Sequence, residues 1–353
     1  MRCSARSWGA VYSRADRLLH HLALDYRPVL EASFDFERAR HGRAARVQPI
    51  DRPVFVSGLA RAGTSILTRM LHGAGGFVAP SYRDMPFPLA PNGWRALTMR
   101  MRRHVDAQER GHGDGLTHDL DSPEAIEEVF WRCTEGARYR TPQGLAPMDI
   151  GDETVAAFRD YVALVLMAGG GGRYLSKNNN NVLRLEALVA AFPDAVLLHP
   201  FRDPVQQALS LRHQHLRACA LAAEDPFRAR FMTWLGHHEF GADRRPFVLP
   251  GAPAADAAGE QLDYWLGSWI AVYRWLLDAP GAVRPRQIFV DYDRLCRADP
   301  RLVARIADAA GIAGSVAVAA LQPPAAHPEA EADAGLIAEA RAVHARLVGC
   351  VPR

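Results

Sequence analysis

An apolar triplet, Val54 to Val56, runs directly into GLARAGTS (Gly58 to Ser65) and then into a segment with helical spacing of its apolar residues. This is a strand–loop–helix unit, and the same alternation recurs downstream. DETVAAFRDYVALVLMAGG has the pattern of a helix ending in glycine, RYLSK of a strand, LRLEALVAAFP of a helix and DAVLLHPFRDP of a buried strand. The segment after Pro204 is helical again, and RQIFVDY supplies a further strand. Strands and helices in alternation argue for an α/β fold with a mostly parallel central sheet.

Outside this series, residues 11–26 place Val11, Leu18, Leu19, Leu22 and Tyr26 at amphipathic helical spacings, and PVLEASFDFERARHG predicts a second helix. PSYRDMPFPLAPNGW is too rich in proline for a helix and reads as an ordered loop. In DLDSPEAIEEVFWR, Ser122 is placed as an N-cap with Pro123 at the first helical position. Residues 250–259 read as a loop, and the chain is alanine-rich and helical from Pro300. The expected organisation is a helical extension over 1–50 packed on the core, an α/β domain over 51–300, and a C-terminal helical segment of the same domain over 301–353.

Composition narrows the function classes. With 49% hydrophobic and 23% charged residues, the 353-residue chain has the profile of a globular enzyme. A formal net charge of +3 is too small to argue for nucleic acid or an anionic membrane surface, so affinity for anions must come from a local site. Cys3, Cys133, Cys219, Cys296 and Cys350 are scattered without CxxC spacing, which argues against a disulfide framework or zinc ribbon and fits a reducing compartment. Charges interrupt every apolar run near the N-terminus, leaving neither a signal-peptide core nor an integral membrane segment. A cytoplasmic location is expected.

GLARAGTS has the glycine spacing of a phosphate-binding Walker A loop, but Thr64 stands where such a loop carries its lysine. The backbone argument survives. Glycines let the chain close around an anion, and the following helix N-terminus presents free N–H groups. Arg61, inside the loop, supplies the missing charge. A loop without the lysine suits a shorter phosphorylated group and no obligatory metal. The plainer alternative is a tight glycine turn with no ligand.

A second anion site is predicted in LLHPFRDPVQQALSL. Arg202 follows an apolar strand directly, and Ser210 lies eight residues later on the next helix. Ligands of open α/β sheets bind at the carboxyl ends of strands, where this segment and the glycine loop would meet. Two such sites on one edge imply a ligand with phosphate groups at two positions. Taken singly, Arg202 reads as an ion pair with Asp203 and Ser210 as an ordinary helix serine.

The chain writes nearly all of its 42 lysine and arginine positions as arginine and keeps one lysine, Lys177, between a glycine run and four asparagines. Either that lysine is drift, or the position needs a compact ammonium that a planar guanidinium cannot replace.

Together these segments resemble the sulfotransferases that use 3′-phosphoadenosine-5′-phosphosulfate (PAPS), with a pattern nearest to the tyrosylprotein-type and related bacterial members. VFVSGLARAGTSILTRML resembles their 5′-phosphosulfate loop, LLHPFRDPVQQALSL their 3′-phosphate site, and IFVDYDRL a strand that often follows. The resemblance implies a P-loop NTPase-like central parallel sheet flanked by helices, with helical additions at both ends. It implies Arg61, Ala62, Gly63, Thr64 and Ser65 on the 5′-phosphate and sulfuryl end, and Arg202 and Ser210 on the 3′-phosphate. Lys177 falls on the family's catalytic lysine, where an ammonium donates to the oxygen bridging sulfur and phosphorus.

The expected reaction is in-line sulfuryl transfer from PAPS, without a metal, to a hydroxyl or amine of an acceptor that the sequence does not name: a small molecule, saccharide, lipid or peptide. Asp84 is the carboxylate that best matches the family's base, with Glu124, Glu127, Glu128, His104, His112 and His118 as rivals. Helix-start acids such as Glu127 and Glu128 also have a capping explanation. His213 and His215, and the run His237-His238-Glu239, could ligate metal, but this chemistry requires none. Trp265, Trp269, Tyr273 and Trp275 sit at helical spacing and read as core. A P-loop nucleotide kinase and a non-catalytic nucleotide-binding protein are the alternatives.

Overall fold

The computed structural model describes residues 13–99, 108–109, 117–118, 125–312, 327 and 332–351. Its main sheet has five strands: β1 (Val54–Val56), β2 (Phe77–Val78), β3 (Arg173–Lys177), β4 (Val196–Phe201) and β5 (Gln287–Asp291). They lie in the order β2-β3-β1-β4-β5, and every pairing is parallel. Parallel strands bury both faces, and β1 and β4 are buried along their whole lengths. Phe55 stacks at 6.0 Å on Phe192, with Tyr174 at 5.8 Å.

Helices cover the sheet. The glycine loop leads into α3 (Thr64–Gly73), and α6 (Asp152–Ala168) packs on the earlier α2 (Arg27–Ala45). The first helix, α1 (Arg14–Leu24), is capped by Ser13, whose hydroxyl accepts from the Asp16 amide. Next in sequence come α7 (Leu185–Ala191), α8 (Pro204–Glu224), α9 (Pro226–Trp234) and α10 (Leu262–Leu277). They are followed by α11 (Tyr292–Cys296), α12 (Pro300–Ala309) and α13 (Ala334–Cys350), the last packed on α8 and α10. Among the described residues, no helix is long and apolar enough to cross a membrane.

The elements follow the sequence patterns with two differences. A helix, α4 (Pro91–Met99), starts inside the segment expected to be loop. Its proline sits at the first position, where no amide is needed, so the proline density marked an entry and not a break. The helix expected from Ser122 is described from Glu128 as α5 (Glu128–Tyr139); Ser122 and Pro123 lie outside the described residues.

Candidate active site

Four strands bring their carboxyl ends to one edge. Val56 at the end of β1 lies opposite Lys177 in one ladder and Leu198 in the other, and Phe201 of β4 pairs with Asp291 of β5. The glycine loop, Lys177, Arg202 and Tyr292 all leave the sheet along this edge. That is the edge at which such sheets bind ligands.

The loop's shape depends on its glycines. Gly58 has φ 148 and Gly63 φ 90. A Cβ on Gly63 would fall 2.3 Å from Cδ2 of Tyr292, so only glycine lets the loop lie against that ring. Gly63 is the N-cap of α3 and offers no side chain, so the first amides of the helix are left without an intrahelical acceptor. Arg61 holds a left-handed φ of 65, an unusual conformation for a side-chain-bearing residue. Its Nε donates to Ser210 Oγ at 3.1 Å.

Arg202 is buried and donates through Nη1 to the Arg61 carbonyl oxygen at 3.2 Å. The alternative reading of Arg202 as an ion pair with Asp203 is not met among the described residues: the Asp203 carboxylate instead caps α8, accepting from the Gln206 amide at 2.9 Å. Nε of Arg202 is buried with no hydrogen-bond partner among the described residues. Burial weakens the guanidinium's hold on its proton, with Asp293 opposing that effect. The structure therefore brings Arg61, Arg202 and Ser210 into one hydrogen-bonded group.

Lys177 ends β3, and the asparagine run follows in a short 3₁₀ turn. Asn178 caps that turn by accepting from the Asn180 amide at 3.1 Å, as expected of an asparagine at a junction. The same side chain donates to Glu128 at 2.8 Å, and Asn181 donates to Glu127 at 2.8 Å. Glu127 also accepts from Tyr174 and Trp131, and Glu128 from Tyr139 and Arg184. Glu127 is the N-cap residue of α5 and Glu128 its first, but the Glu127 side chain makes no cap hydrogen bond. Both are buried in a closed polar network that fixes the segment carrying Lys177, which leaves them poorly disposed as bases. Burial pushes the Glu128 carboxyl up, but Arg184 at 2.8 Å outweighs it and holds the carboxyl below its usual range.

Asp84 sits at the end of a single 3₁₀ turn, buried, with both oxygens engaged. Oδ2 accepts from the Ser81 amide at 3.0 Å and Oδ1 from Arg95 Nε at 2.7 Å. Glu124, His104 and His112 lie outside the described residues, and of His118 only the backbone is described.

A further carboxylate, Glu239, meets the segment that carries Lys177. Glu239 accepts from Asn179 Nδ2 at 2.9 Å and faces His237 at 3.7 Å. Burial pushes its pKa up, but His237, then Lys177 and Asn179, hold the carboxyl well below the usual range. With Asn180 it lines a narrow, mostly apolar cavity of about 40 Å³ whose other walls include Leu59 and Ala60 of the glycine loop, Leu211, Phe247 and Trp265. Only its spatial approach to the Lys177 segment distinguishes it, since no local spacing around GHHEF marks it. Trp269 and Tyr273 are core, as expected, whereas Trp265 also walls this cavity.

A family model described as "Sulfotransferase family" matches residues 53–315. The chain belongs to the sulfotransferase family. Solved structures similar to this sulfotransferase include STF9 from Mycobacterium avium, at 15% identity over 93% of this chain and 75% of that one, with a TM-score of 0.49. STF1 from Mycobacterium tuberculosis H37Rv is similar at 14% identity over 95% and 86%, with a TM-score of 0.49. A sulfotransferase from Alicyclobacillus acidocaldarius is similar at 15% identity over 85% and 94%, with a TM-score of 0.38. No curated protein sequence matches the chain.

Proposed function

We propose that this sulfotransferase moves the sulfuryl group of PAPS onto a hydroxyl or amine of its acceptor. The observation that carries the proposal is the hydrogen-bonded group of Arg61, Arg202 and Ser210 at the same sheet edge as Lys177. The unpartnered, buried Nε of Arg202 suits an oxyanion. Thr64 in place of a Walker lysine weighs against a nucleotide kinase.

PAPS supplies the sulfuryl group and a phosphate leaving group. Arg202 and Ser210 hold the 3′-phosphate. Arg61, the amides of Ala62 and Gly63, and the amides and hydroxyls of Thr64 and Ser65 hold the 5′-phosphosulfate. Lys177 donates to the bridging oxygen as the sulfur–oxygen bond to phosphate breaks and charge grows there. The acceptor atom bonds to sulfur on the opposite side, and its proton passes to a carboxylate. Glu239 is the better placed for that step, because it opens on the cavity beside the loop; Asp84, the other candidate, would first have to leave Arg95. A carboxylate of low basicity serves when deprotonation is late.

The test is a thermal-shift comparison of 3′,5′-ADP, ADP and ATP, each with and without Mg²⁺. A ligand at about 100 times its dissociation constant stabilises by about 2.7 kcal/mol, a shift of several degrees. Selective stabilisation by 3′,5′-ADP, independent of Mg²⁺, is expected. Stabilisation by ATP only with Mg²⁺ would replace this reading with the kinase.

A further inference from the structure

Beside the narrow cavity lies a second, wider one of about 900 Å³, large enough for a whole small-molecule ligand. Its walls come from the turn between α1 and α2, the end of α5, a short hairpin over residues 140–145, α9, and the loop that follows α9. Arg27, Arg132, Arg140, Arg230, Arg244 and Arg245 line it, against the carboxylates Asp25, Asp243 and Asp256. Arg27 is neutralised by Glu31 at 2.7 Å. The other five form no ion pair among the described residues. Elsewhere buried Arg184 pairs with Glu128, and half-buried Arg95 and Arg38 pair with Asp84 and Asp160. The arginine of the nucleotide site, Arg202, shares with the cleft arginines a buried donor without a partner among the described residues.

The cleft arginines are held by neutral groups, which fix geometry without cancelling charge. Arg132 donates to the Leu24 carbonyl, and Arg245 to the Thr141 carbonyl at 3.0 Å. Arg244 donates to the Ala257 carbonyl at 3.1 Å and lies 4.1 Å over the Tyr264 ring. Nε of Arg132, Nε of Arg140 and Nη1 of Arg244 are buried without a hydrogen-bond partner among the described residues. Burial, followed by the Arg140 charge, loosens the proton of Arg132, and the opposing Asp25 carboxylate does not outweigh them.

The cleft and the narrow cavity share His238, Arg244, Arg245 and Pro246 as walls. The two cavities therefore adjoin, and Glu239 and Leu59 and Ala60 of the glycine loop line the narrower one. Arg61, Arg202 and Ser210 belong to neither wall, so this charge is separate from the nucleotide site.

We infer that the acceptor carries an oxyanion group, a carboxylate or a phosphate, which the arginine cleft binds while the acceptor's hydroxyl or amine reaches through the narrow cavity toward Glu239. The inference rests on the sulfotransfer reading above. Guanidinium forks suit either anion. The apolar neck suits a flat or slender uncharged portion between the anion and the reacting atom.

The test fills the nucleotide site with 3′,5′-ADP and titrates citrate or inorganic pyrophosphate, following Tm. Three proteins are compared: wild type, Arg140→Gln/Arg230→Gln, and Arg43→Gln as an exposed control on α2. A further rise in Tm is expected for wild type and the control, with at least a tenfold higher probe concentration needed for the double variant. Whichever probe acts at lower concentration identifies a carboxylate or a phosphate. No rise beyond that of 3′,5′-ADP, or a double variant that responds like wild type, overturns the inference. If the double variant fails to fold by circular dichroism, Arg230→Gln on the exposed rim alone is read, with about a threefold loss expected and no loss overturning the inference. If 3′,5′-ADP shifts no protein, the PAPS reading fails, and the difference between wild type and variant in probe response still judges the cleft.

Discussion

Arg61 Nε donates to Ser210 Oγ across 149 residues of sequence, and Arg202 Nη1 donates to the carbonyl oxygen of the same Arg61. The loop after β1 is thus tied to the end of β4 and the second turn of α8. The arginine that the loop carries in place of a Walker lysine is hydrogen-bonded to the serine expected to meet a 3′-phosphate. On the proposed reading, a bisphosphate bound here would compete with that hydrogen bond, and loop and helix would respond to it together.

Substituting this group separates its members. Arg202→Ala removes a buried cation with an open donor, and charge-assisted hydrogen bonds are worth about 1.5–3 kcal/mol. Affinity for 3′,5′-ADP is expected to fall about 10- to 150-fold by titration calorimetry, and Ser210→Ala to cost only about fivefold. Equal affinities for 3′,5′-ADP and 5′-AMP in the wild type would show that no 3′-phosphate is held here.

Lys177 is expected to act on the transition state and little on binding. Lys177→Ala should lower kcat by about 10²- to 10³-fold, the usual cost of one donor to a developing anion, with 3′,5′-ADP affinity within about threefold. Lys177→Arg should not restore the rate, because a planar fork cannot take the place of a compact ammonium. Full activity in either variant removes Lys177 from the mechanism.

Glu239 and Asp84 are told apart by measuring turnover and stability together. Glu239→Gln is expected to cut kcat by about 10²-fold or more while the protein stays folded, with some loss of Tm because His237, Lys177 and Asn179 favour the charged carboxylate. Asp84→Asn strips a buried partner from Arg95, and breaking such a pair costs about 3–5 kcal/mol in urea unfolding. A stable Asp84→Asn protein with abolished turnover reverses the assignment.

His199 makes stability depend on pH. It is fully buried in β4, its Nδ1 lies 3.1 Å from the Ser57 carbonyl, and burial pushes its pKa down to about 4 from 6.5. Below pH 6.5 the unfolded chain takes up a proton that the folded one refuses, so stability falls as pH drops toward 4 and levels off beyond. Between pH 6.5 and 5 the loss from this group is about 1.5 kcal/mol. His238, also near 4 through burial and Arg140, adds in the same direction. Urea unfolding at pH 7.5 and 5.0 should show His199→Gln losing part of the wild-type pH dependence; identical slopes would mean that His199 does not titrate as a buried neutral ring.

What the sequence determined by itself is local. The run Val54 to Val56, the glycines of GLARAGTS, the strand RYLSK and the step from Arg202 to Pro204 each carry their conformation in a few neighbouring residues, through side-chain branching, glycine freedom and the fixed φ of proline. Strand order within one parallel sheet then places their ends on a common edge, so the family and the edge that carries the site were legible before any contact was known. The tertiary structure decided which polar groups meet. Glu127 and Glu128 do start α5, but their side chains hold Asn178, Asn181 and Arg184, some 50 residues away, because a buried carboxylate is stable only where donors converge on it. Glu239 carries no local signal; it reaches the Lys177 segment through Asn179, 60 residues distant. The five unpaired arginines of the cleft are spread from α5 to the loop before α10, in a chain where arginine is everywhere. Charge becomes specific only when folding gathers more arginines than carboxylates in one cleft, without ion pairs among them.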